Sequence, residues 1–304
     1  MPRVLNFGSL NIDHVYTVEE FVRPGETVVS TSYDLFPGGK GANQSAALGR
    51  AGATVFHAGC VGVDGDWLRE SLAGCGVDVS LVEEVEGPTG HALIQVDRRG
   101  ENAIVICAGA NELVSEKRIE VALSLFSDGD ILLLQNEISN IHALIRQARE
   151  RHLTVVFNPA PFTDSIPGYP LDDVDILILN EREGTSLISA LTPAASPSTP
   201  VKLIQNLQEQ LNIGQIVLTL GALGALYTAD GAILQIDAVS TPDVVDTTGA
   251  GDTFIGYFVA GLAADRSPQQ ALNLAANAAA ICVTRAGAMN SIPHADELEL
   301  PSPG

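Results

Sequence analysis

Residues 130–158 read DILLLQNEISNIHALIRQARERHLTVVFN. Two short apolar runs, Asp130–Gln135 and Thr154–Asn158, have the composition of buried strands, and Ile138–Arg151 between them has the pattern of a helix. A strand, a helix and a second strand in this order form a right-handed crossover between two parallel strands of one sheet. The stretch therefore predicts an α/β fold.

The same alternation continues on both sides of this stretch. Further buried strands are predicted at Val4–Phe7, Thr54–Cys60, Asp175–Leu179 and Gln215–Leu220. Further helices are predicted at Ala42–Ala51, Asp66–Cys75, Ser115–Phe126, Val201–Leu211, Gly249–Ala263 and Pro268–Arg285. Repeated units of this kind build a mostly parallel central sheet with helices on both faces. The Pro- and Ser-rich segment Ser189–Pro200 is predicted to be a surface excursion within this one domain of 304 residues, and not a boundary.

Two stretches interrupt the alternation. Asp13–Phe36 and Gly90–Cys107 alternate apolar and polar residues without an intervening helix. Such alternation is typical of antiparallel strands with one exposed face. We therefore expect these stretches, about 13–36 and 90–107, to pair into a small β-sheet lid over the main sheet.

The chain is strongly acidic: 37 Asp and Glu residues against 16 Lys and Arg residues give a formal net charge of −21. A surface of this sign repels phosphate backbones and anionic lipid, which argues against nucleic acid and membranes as partners. Any anionic ligand must therefore be held by backbone dipoles and a few placed cations.

The four cysteines, Cys60, Cys75, Cys107 and Cys282, are widely spaced and form no C-x-x-C pair. This spacing favours buried free thiols in a reducing compartment over a disulfide framework or a zinc site. The N-terminal residues lack the basic and apolar regions of a signal peptide, and the apolar stretch Ala271–Val283 is too short to span a bilayer. A cytoplasmic location is expected.

The segment most informative about chemistry is Gly249-Ala250-Gly251-Asp252, at the start of a predicted helix. Small residues allow a tight turn, so that several unpaired N–H groups of the helix start point at one spot that suits a phosphate. Asp252 alone would be interpreted as a helix cap, but a cap explains neither the three small residues nor the second acid, Asp246. An acid beside an anion hole is suited to accept the proton of a hydroxyl that attacks a phosphoryl group.

A second group of polar residues lies near the N-terminus. Asn11 and Asp13 follow the first strand, at the edge where open α/β sheets bind ligands, and Asn43 lies at the start of the next helix. Each alone is a typical turn or cap residue, but together they supply the amide and carboxylate groups needed to clamp the hydroxyls of a sugar. The glycine-rich run before Asn43 is not a P-loop, because Gly41 stands where a Ser or Thr must follow the Lys.

Three further signals are weaker. Glu137 follows a predicted strand and is equally well explained as a first-turn helix acid. Asn180 and Glu183 follow another strand in the same manner, and the Gly-rich loop Thr219–Gly224 follows a third.

Several motifs are missing from the sequence. The six histidines have no metal-ligand spacing. Neither the dinucleotide-binding Gly-x-Gly-x-x-Gly motif after the first strand nor the hydrolase motif Gly-x-Ser-x-Gly occurs. These absences argue against a dinucleotide oxidoreductase and an α/β-hydrolase.

Seven motifs follow one another along the chain. They are Gly-Ser-Leu-Asn-Ile-Asp (8–13), Pro-Gly-Gly-Lys-Gly-Ala-Asn-Gln (37–44), Gly-Glu-Asn-Ala-Ile (100–104), Ala-Gly-Ala-Asn (108–111), Asn-Pro-Ala-Pro (158–161), Asn-x-x-Glu (180–183) and Asp-Thr-Thr-Gly-Ala-Gly-Asp (246–252). With these motifs in this order, the chain resembles the ribokinase (PfkB-type) family of carbohydrate kinases from about Val4 to Pro293. The resemblance implies a ribokinase-like α/β domain with a β-sheet lid, and transfer of the γ-phosphoryl group of ATP to the 5-hydroxyl of D-ribose.

The resemblance also implies roles for individual residues. Asp252 matches the catalytic base, and the backbone of Gly249, Ala250 and Gly251 matches the anion hole. The matching sugar contacts are Asn11, Asp13, Gly39, Lys40, Asn43, Glu137 and Asp252. The matching nucleotide contacts are Asn180, Glu183, Thr219, Gly221, Gly224, Gly251 and Asn277. Glu183 also completes the motif that the family links to Mg²⁺ and phosphate.

A monovalent cation and a partner subunit are implied as well. The positions that match the family's K⁺ site are Asp246, Thr248, Cys282, Arg285, Gly287 and Ser291, several of which would contribute only backbone carbonyls. K⁺ there would support the geometry of the anion hole without reacting. Members of the family commonly pair through their lids, which implies a homodimer.

Two alternatives remain open. One is another kinase of the family, acting on fructose, a nucleoside or a sugar acid, and the other is a catalytically silent sugar-binding or regulatory protein on the same scaffold. Ile255 and Tyr257 depart from the family's usual Asn and small residue. The Gly-Gly-Lys-Gly-Ala-Asn-Gln run favours ribose, and the intact Asp252 with its Gly-Ala-Gly argues against a silent protein.

Overall fold

The structure, a computed structural model, describes residues 1–192, 199–241 and 243–298. In this part of the chain the strands are β1 (Val4–Phe7), β2 (Asn11–Thr17), β3 (Ser32–Gly38), β4 (Val55–Val61), β5 (Asp78–Glu84), β6 (Gly90–Val96), β7 (Asn102–Cys107), β8 (Ile131–Gln135), β9 (Thr154–Asn158), β10 (Ile176–Asn180), β11 (Gln215–Thr219), β12 (Ala225–Ala229) and β13 (Ala232–Ile236). The helices are α1 (Lys40–Arg50), α2 (Asp66–Ala73), α3 (Glu116–Leu123), α4 (Ile141–Glu150), α5 (Glu181–Leu191), α6 (Pro200–Gln210), α7 (Ala250–Ala263) and α8 (Pro268–Cys282).

A large sheet of the described residues has the strand order β13-β12-β11-β10-β9-β8-β1-β4-β5. Its pairs are parallel from β5 to β11 and antiparallel only at the β11–β12–β13 edge. The stretch 130–158 forms β8, α4 and β9, with the two strands paired in parallel. The predicted mostly parallel sheet is therefore confirmed, and its six predicted strands occur within one residue of their expected ends.

Both faces of the large sheet are buried. On one face Val4 and Leu133 pack with residues of α1, α7 and α8, and on the other Leu5 and Leu132 pack with residues of α3 to α6. Since side chains alternate between the two faces of a strand, a strand covered on both faces has an unbroken apolar sequence. This burial is why the sequence pattern finds these strands.

The sequence patterns do not predict β5, α5, β12 and β13. The edge strand β5 carries Asp78, Glu83 and Glu84 and has no apolar run. The strands β12 and β13 form an antiparallel hairpin whose turn holds Asp230 at a φ of 50° and Gly231 at a φ of 80°. The edge strand β13 buries only Ile236 fully, whereas β12 is buried along most of its length but its sequence, Ala-Leu-Tyr-Thr-Ala, has no unbroken run of large apolar residues.

The Pro- and Ser-rich segment is shorter than predicted. Its first residues, Ser189 to Leu191, belong to α5, and Pro200 is the first residue of α6. Proline is tolerated at the first position of a helix because its missing N–H would have no partner there. Residues 193–198 of the segment lie outside the described residues.

The second, smaller sheet has the strand order β3-β2-β6-β7. Its two hairpins, β2–β3 and β6–β7, are antiparallel as predicted, but the central pair β2–β6 is parallel. The expectation of a purely antiparallel sheet is therefore wrong. The cause is that β2 follows β1 and β6 follows β5, and both strands leave the parallel main sheet at its carboxyl edge in the same direction.

The four cysteines are free thiols. Cys60, Cys75 and Cys282 are buried as predicted, whereas Cys107 is exposed because it ends β7, every residue of which is exposed. Among the residues that the structure describes, no group of three or more His, Cys, Asp or Glu side chains is arranged to hold a metal ion. No helix of the described part has the length and apolar character required to cross a membrane.

Candidate active site

A cleft opens at the carboxyl edge of the large sheet, beside the N-terminus of α7. Its lining residues are Lys40, Asn158, Ala160, Ile178, Leu179, Asn180, Glu183, Thr219, Gly249, Gly251, Asp252 and Ile255. They come from the starts of α1, α5 and α7 and from the ends of β9, β10 and β11. Carboxyl ends of parallel strands are where open α/β sheets bind their ligands, so this cleft is the candidate active site.

Asp252 lies in the first turn of α7, and both of its carboxylate oxygens accept hydrogen bonds from α1. Asn43 Nδ2 donates to Oδ2 at 3.0 Å, and Gln44 Nε2 donates to Oδ1 at 2.9 Å. The helix begins at Ala250, and Gly249 precedes it as an N-cap without a side-chain hydrogen bond. Asp252 is therefore held by a neighbouring helix and does not serve as the cap of its own helix.

The turn before α7 leaves backbone amides without acceptors. Gly249 has a φ of 77°, in the left-handed region that glycine tolerates. Within the described part of the chain no acceptor meets the amides of Gly249, Gly251 and Asp252, whereas Ala250 N lies 3.3 Å from Thr247 O and closes the turn. An added Cβ at Gly251 would contact nothing within 4 Å, so the turn is open to the cleft. Free amides at a helix N-terminus suit an anion.

A second polar cluster lies next to the small sheet, at the start of α1. Glu137 Oε2 accepts hydrogen bonds from Ser9 Oγ at 2.6 Å and from the Lys40 amide at 2.9 Å. Because α4 begins at Ile141 with Asn140 as its cap, Glu137 is not a first-turn acid. The α1 N-terminus thus contacts an internal carboxylate, which agrees with the rejection of a P-loop for this segment.

Asn11 and Asp13 lie at the start of strand β2, beside this cluster. Asn11 Oδ1 accepts a hydrogen bond from Asn111 Nδ2 at 2.8 Å, and Asn111 is buried. A Cβ at Gly38 would collide with the Asp13 carboxylate, and Gly39 has a φ of 92°. The two glycines let the chain pass directly over Asp13 on its way into α1.

The electrostatics of the cleft combine one cation with several acids. Asp252 foremost, then Glu137, Glu183 and Asp13, raise the pKa of Lys40, although burial lowers it. The Lys40 ammonium is therefore firmly charged.

Two of the acids bind protons more tightly than usual. Burial, followed by the charge of Glu137, raises the pKa of Asp13 to about 7, against a lowering by Lys40. Burial likewise raises the pKa of Glu183, although hydrogen bonds from Asn180 lower it.

The residues expected to contact a nucleotide divide into two groups. Asn180 and Glu183 form a reciprocal capping box at the start of α5, with Glu183 N donating to Asn180 Oδ1 at 2.9 Å and Asn180 N donating to Glu183 Oε2 at 3.0 Å. These two and Thr219 line the cleft, as does Gly251. Gly221, Gly224 and Asn277 lie outside its lining.

Two of the three outlying residues, Gly224 and Asn277, have structural contacts of their own. A Cβ at Gly224 would collide with Ile236 O across the β12–β13 hairpin, whereas Gly221 is open. Asn277 Nδ2 donates to Asn273 O within α8 at 2.8 Å.

The residues expected around a monovalent cation come from two loops that hydrogen bonds join. Asp246 Oδ1 accepts from Thr248 N and Oδ2 accepts from Gly287 N, both at 2.9 Å. Burial would raise the pKa of Asp246, but these hydrogen bonds lower it below its ordinary value. The loops behind α7 are thereby tied to each other beside the turn with the free amides.

Buried Cys282 completes this cluster. Its Sγ lies 3.0 Å from Ser291 Oγ and 3.3 Å from Thr253 Oγ1. The Arg285 guanidinium instead pairs with Glu297. Only the backbone carbonyl of Arg285 is therefore available to a cation.

Several residues of the site were not among the sequence-predicted contacts: Ser9, Gln44, Asn111, Asn158, Ala160 and Ile255. All of these except Ile255 belong to the quoted motifs, which was the available signal. Asn158 Nδ2 donates to Ile178 O at 2.9 Å, and its Oδ1 accepts from Gln44 Nε2 at 3.2 Å.

Comparisons with known proteins agree with this geometry. The model of the pfkB family carbohydrate kinases matches residues 1–295. The ribokinase of Haemophilus influenzae is 36% identical over 295 residues, covering 95% of each chain, and that of Bacillus subtilis is 32% identical over 307 residues, covering 98% of this chain and 99% of the other.

Solved structures are similar over nearly the whole chain. The ribokinase of Cryptococcus neoformans in complex with ADP has a TM-score of 0.87 at 37% identity, covering 98% of this chain and 99% of the other. The ribokinase of Arabidopsis thaliana complexed with ribose and ATP has a TM-score of 0.86 at 32% identity, covering 98% and 97%.

The raised pKa of Asp13 predicts how stability depends on pH in the ligand-free protein. Between about pH 4 and pH 7 the folded protein retains a proton that the unfolded chain has released, so stability falls as the pH rises through this window. Asp13→Asn removes this loss and should exceed the wild type in stability at pH 8 by on the order of 1–4 kcal/mol.

Urea unfolding of both proteins at pH 4.5 and pH 8 measures the effect. Asp34→Asn, at an exposed acid of the same small sheet, should keep the wild-type pH dependence. Equal pH slopes for the wild type and Asp13→Asn would contradict the assignment.

Proposed function

The chain belongs to the pfkB family of carbohydrate kinases, and we propose that it transfers the γ-phosphoryl group of ATP to the 5-hydroxyl of D-ribose. The observation that carries this proposal is the start of α7. There Asp252, with both oxygens oriented by Asn43 and Gln44, lies next to free backbone amides. A base beside an anion-binding turn is what the attack of a hydroxyl on a phosphoryl group requires. The relatives named ribokinase, and the Arabidopsis enzyme complexed with ribose and ATP, support ribose as the acceptor.

The sugar is assigned to the cluster beside the small sheet. Asn11, Asp13 and Glu137 offer amide and carboxylate groups there, and Lys40 and Asn43 extend the same surface toward Asp252. Gly39 joins β3 to α1 at this point. Groups that accept and donate hydrogen bonds at fixed positions suit a ligand that carries several hydroxyls.

The nucleotide is assigned to the opposite end of the cleft. Asn180, Glu183 and Thr219 line this end, and Gly221, Gly224 and Asn277 are assigned to the more distant parts of ATP. Glu183 supplies a hard carboxylate oxygen near Lys40, which fits a Mg²⁺ ion that is held by one or two carboxylates together with phosphates and water. With Mg²⁺ bound, part of the phosphate charge is neutralised.

The chemistry then follows from the positions of the chain's own groups. The Asp252 carboxylate accepts the proton of the 5-hydroxyl as that oxygen attacks phosphorus. The amides of Gly249, Gly251 and Asp252 and the Lys40 ammonium stabilise the charge on the transferring group. Phosphoryl transfer needs alignment and charge stabilisation more than covalent help. The small sheet, 13–36 and 90–107, acts as a lid that excludes water from the site.

An assay of ADP release across a panel of sugars tests the proposed function. Ribose should give the highest kcat/KM, and Asp252→Asn should lower kcat about 100- to 10,000-fold, the range that general-base catalysis supplies. The affinity for ATP should stay within about twofold, since the variant keeps the shape of the side chain.

Each other outcome of this assay identifies an alternative. Fructose or adenosine exceeding ribose by orders of magnitude would assign the protein to another substrate of the family. Absence of ADP release with every sugar would identify a silent binding protein. Unchanged turnover of Asp252→Asn would exclude the base role.

A K⁺ ion is proposed beside the anion-binding turn. Oxygen donors gather there in the Asp246 carboxylate, the Thr248 carbonyl and the Ser291 hydroxyl, with the Gly287 and Arg285 backbone in the same loop and Cys282 beneath. Carbonyl and hydroxyl oxygens of this kind can replace the hydration shell of a K⁺ ion. Replacing K⁺ by Na⁺ at constant ionic strength should lower kcat several-fold in the ADP-release assay, and equal rates in both salts would contradict the site.

A homodimer through the small sheet is also proposed. Leu35, Leu93 and Val105 lie in one row on one face of that sheet and are between 46% and 67% exposed, and a cluster of exposed apolar side chains is unusual for a monomer. Analytical ultracentrifugation should show a dimer for the wild type and a monomer for Val105→Glu. The control Val121→Glu, at an exposed valine of α3, should remain dimeric. A monomeric wild type would contradict the proposal.

The location is proposed to be the cytoplasm, where ATP is available and free thiols persist. The described part of the chain carries four free cysteines, three of them buried. Fractionation of cells that produce the protein would place it with the cytoplasmic enzymes.

A further inference from the structure

A chain of buried side-chain amides runs through the protein to Asp252. Gln135 Nε2, at the end of β8, donates to Asn6 Oδ1 of β1 at 2.9 Å and to Gln44 Oε1 of α1 at 2.7 Å. Gln44 Nε2 then donates to Asp252 Oδ1 at 2.9 Å. Asn6, Gln135 and Gln44 are each 0% exposed. The three amides therefore form a relay between the interior of the main sheet and the proposed catalytic base.

Two backbone carbonyls, Gly41 O and Ile178 O, fix the direction of every amide in this relay. Asn6 Nδ2 donates to Gly41 O at 2.8 Å, and a carbonyl oxygen can only accept. The Asn6 oxygen must then face Gln135, and the Gln135 amino group must face the Gln44 oxygen. Gln44 is left with its amino group toward Asp252.

The other neighbour of Gln44 imposes the same direction. Asn158 Nδ2 donates to Ile178 O at 2.9 Å, so Asn158 presents its oxygen to Gln44 Nε2 at 3.2 Å. Reversing the Gln44 amide would place its oxygen against two acceptors and its amino group against a donor. The surroundings thus allow one orientation only.

The relay is retained at a cost in stability. Gln135 Oε1 is buried and has no hydrogen-bond partner in the described part of the chain. A buried acceptor without a partner is destabilising, and apolar side chains of the same shape would avoid it. A Cβ at Gly8 would collide with this oxygen and also with the backbone of Gly41, so the glycine leaves room for both. A side chain that only filled space would not require a buried oxygen without a partner.

We propose that Gln44 is a positioning residue for Asp252, and that the relay of Asn6 and Gln135 orients it. Gln44 offers one N–H to Oδ1 while Asn43 offers one to Oδ2, so the plane of the carboxylate is fixed and each oxygen keeps a lone pair. Because Gln44 is 0% exposed, it does not contact the sugar. Its contribution rests on the proposed function and lies in kcat, not in substrate binding.

The test compares Gln44→Met, which keeps the volume and removes the donor, with the wild type. In Gln44→Met we expect kcat to fall about 10- to 100-fold, as for a reacting group held in the wrong geometry, while KM for ribose and for ATP stays within about twofold. Gln44→Glu, which presents an oxygen to Asp252, should lower kcat at least as far. Gln208→Met, at a glutamine that accepts a hydrogen bond from Thr228 Oγ1, should leave kcat unchanged.

A double-mutant cycle separates a positioning role from a general loss of structure. If Gln44 acts through Asp252, Gln44→Met should lower kcat no further in a chain that already carries Asp252→Asn. An equal fold-loss in both backgrounds would overturn the proposal, as would a kcat of Gln44→Met within twofold of the wild type. Should Gln44→Met fail to fold, Gln135→Met replaces it, with a several-fold loss of kcat at constant KM as the expected result and no loss as the contrary one.

The failure of the proposed function has a different signature. Full activity of Asp252→Asn would remove the base role itself. An inactive Asp252→Asn together with a fully active Gln44→Met would leave the base role intact and exclude only the positioning role.

Discussion

The site depends on the close contact between α1 and α7. At Gly256, one turn after Asp252, an added Cβ would collide with the Ala47 side chain and lie 2.8 Å from Gln44 O. The two helices therefore approach to a distance that only glycine permits. This approach brings Asn43 and Gln44 within hydrogen-bond distance of Asp252, although 208 or more residues separate them in the sequence. Without it the carboxylate would have neither of its two donors.

A second constraint is the charge of the chain. A protein with a net charge of −21 that handles a polyanion has to create a local region that attracts it. The start of α7 does so with uncharged groups, because free amides carry partial positive charge without a counterion. Lys40 is the cation of the cleft lining, and the surrounding carboxylates raise its pKa. The same acids that would repel a phosphate thus keep this lysine charged.

The fold was largely predictable, and the site only in part. Central strands such as β8 and β9 were found because burial on both faces leaves an unbroken apolar run, whereas β5 is an edge strand with three acids and gives no such run. The parallel β2–β6 pair could not be read from the alternation of residues, since alternation reports the buried face of a strand and not its direction. The roles of the motif residues came from a family resemblance. The hydrogen bonds that join Gln44, Asn158 and Asp252 depend on tertiary packing, which no local pattern encodes.

One signal for the relay was nevertheless present in the sequence. Asn6 and Gln135 are polar residues within two of the most apolar strands, where a hydrophobic side chain would be the stable choice. Asn6 also donates to Ser45 Oγ at 2.8 Å, and Ser45 contacts Nδ1 of His57, whose pKa burial lowers to about 4. A neutral imidazole can accept the serine proton at this nitrogen, which leaves the Ser45 oxygen as the acceptor for Asn6 Nδ2. The contacts of Asn6 with Ser45 and with Gly41 O therefore require the same orientation of the Asn6 amide. Polar residues placed at random in a core would not all orient their amides in the same direction. Buried polar residues that cost stability and that all support one orientation at Asp252 therefore indicate a functional constraint.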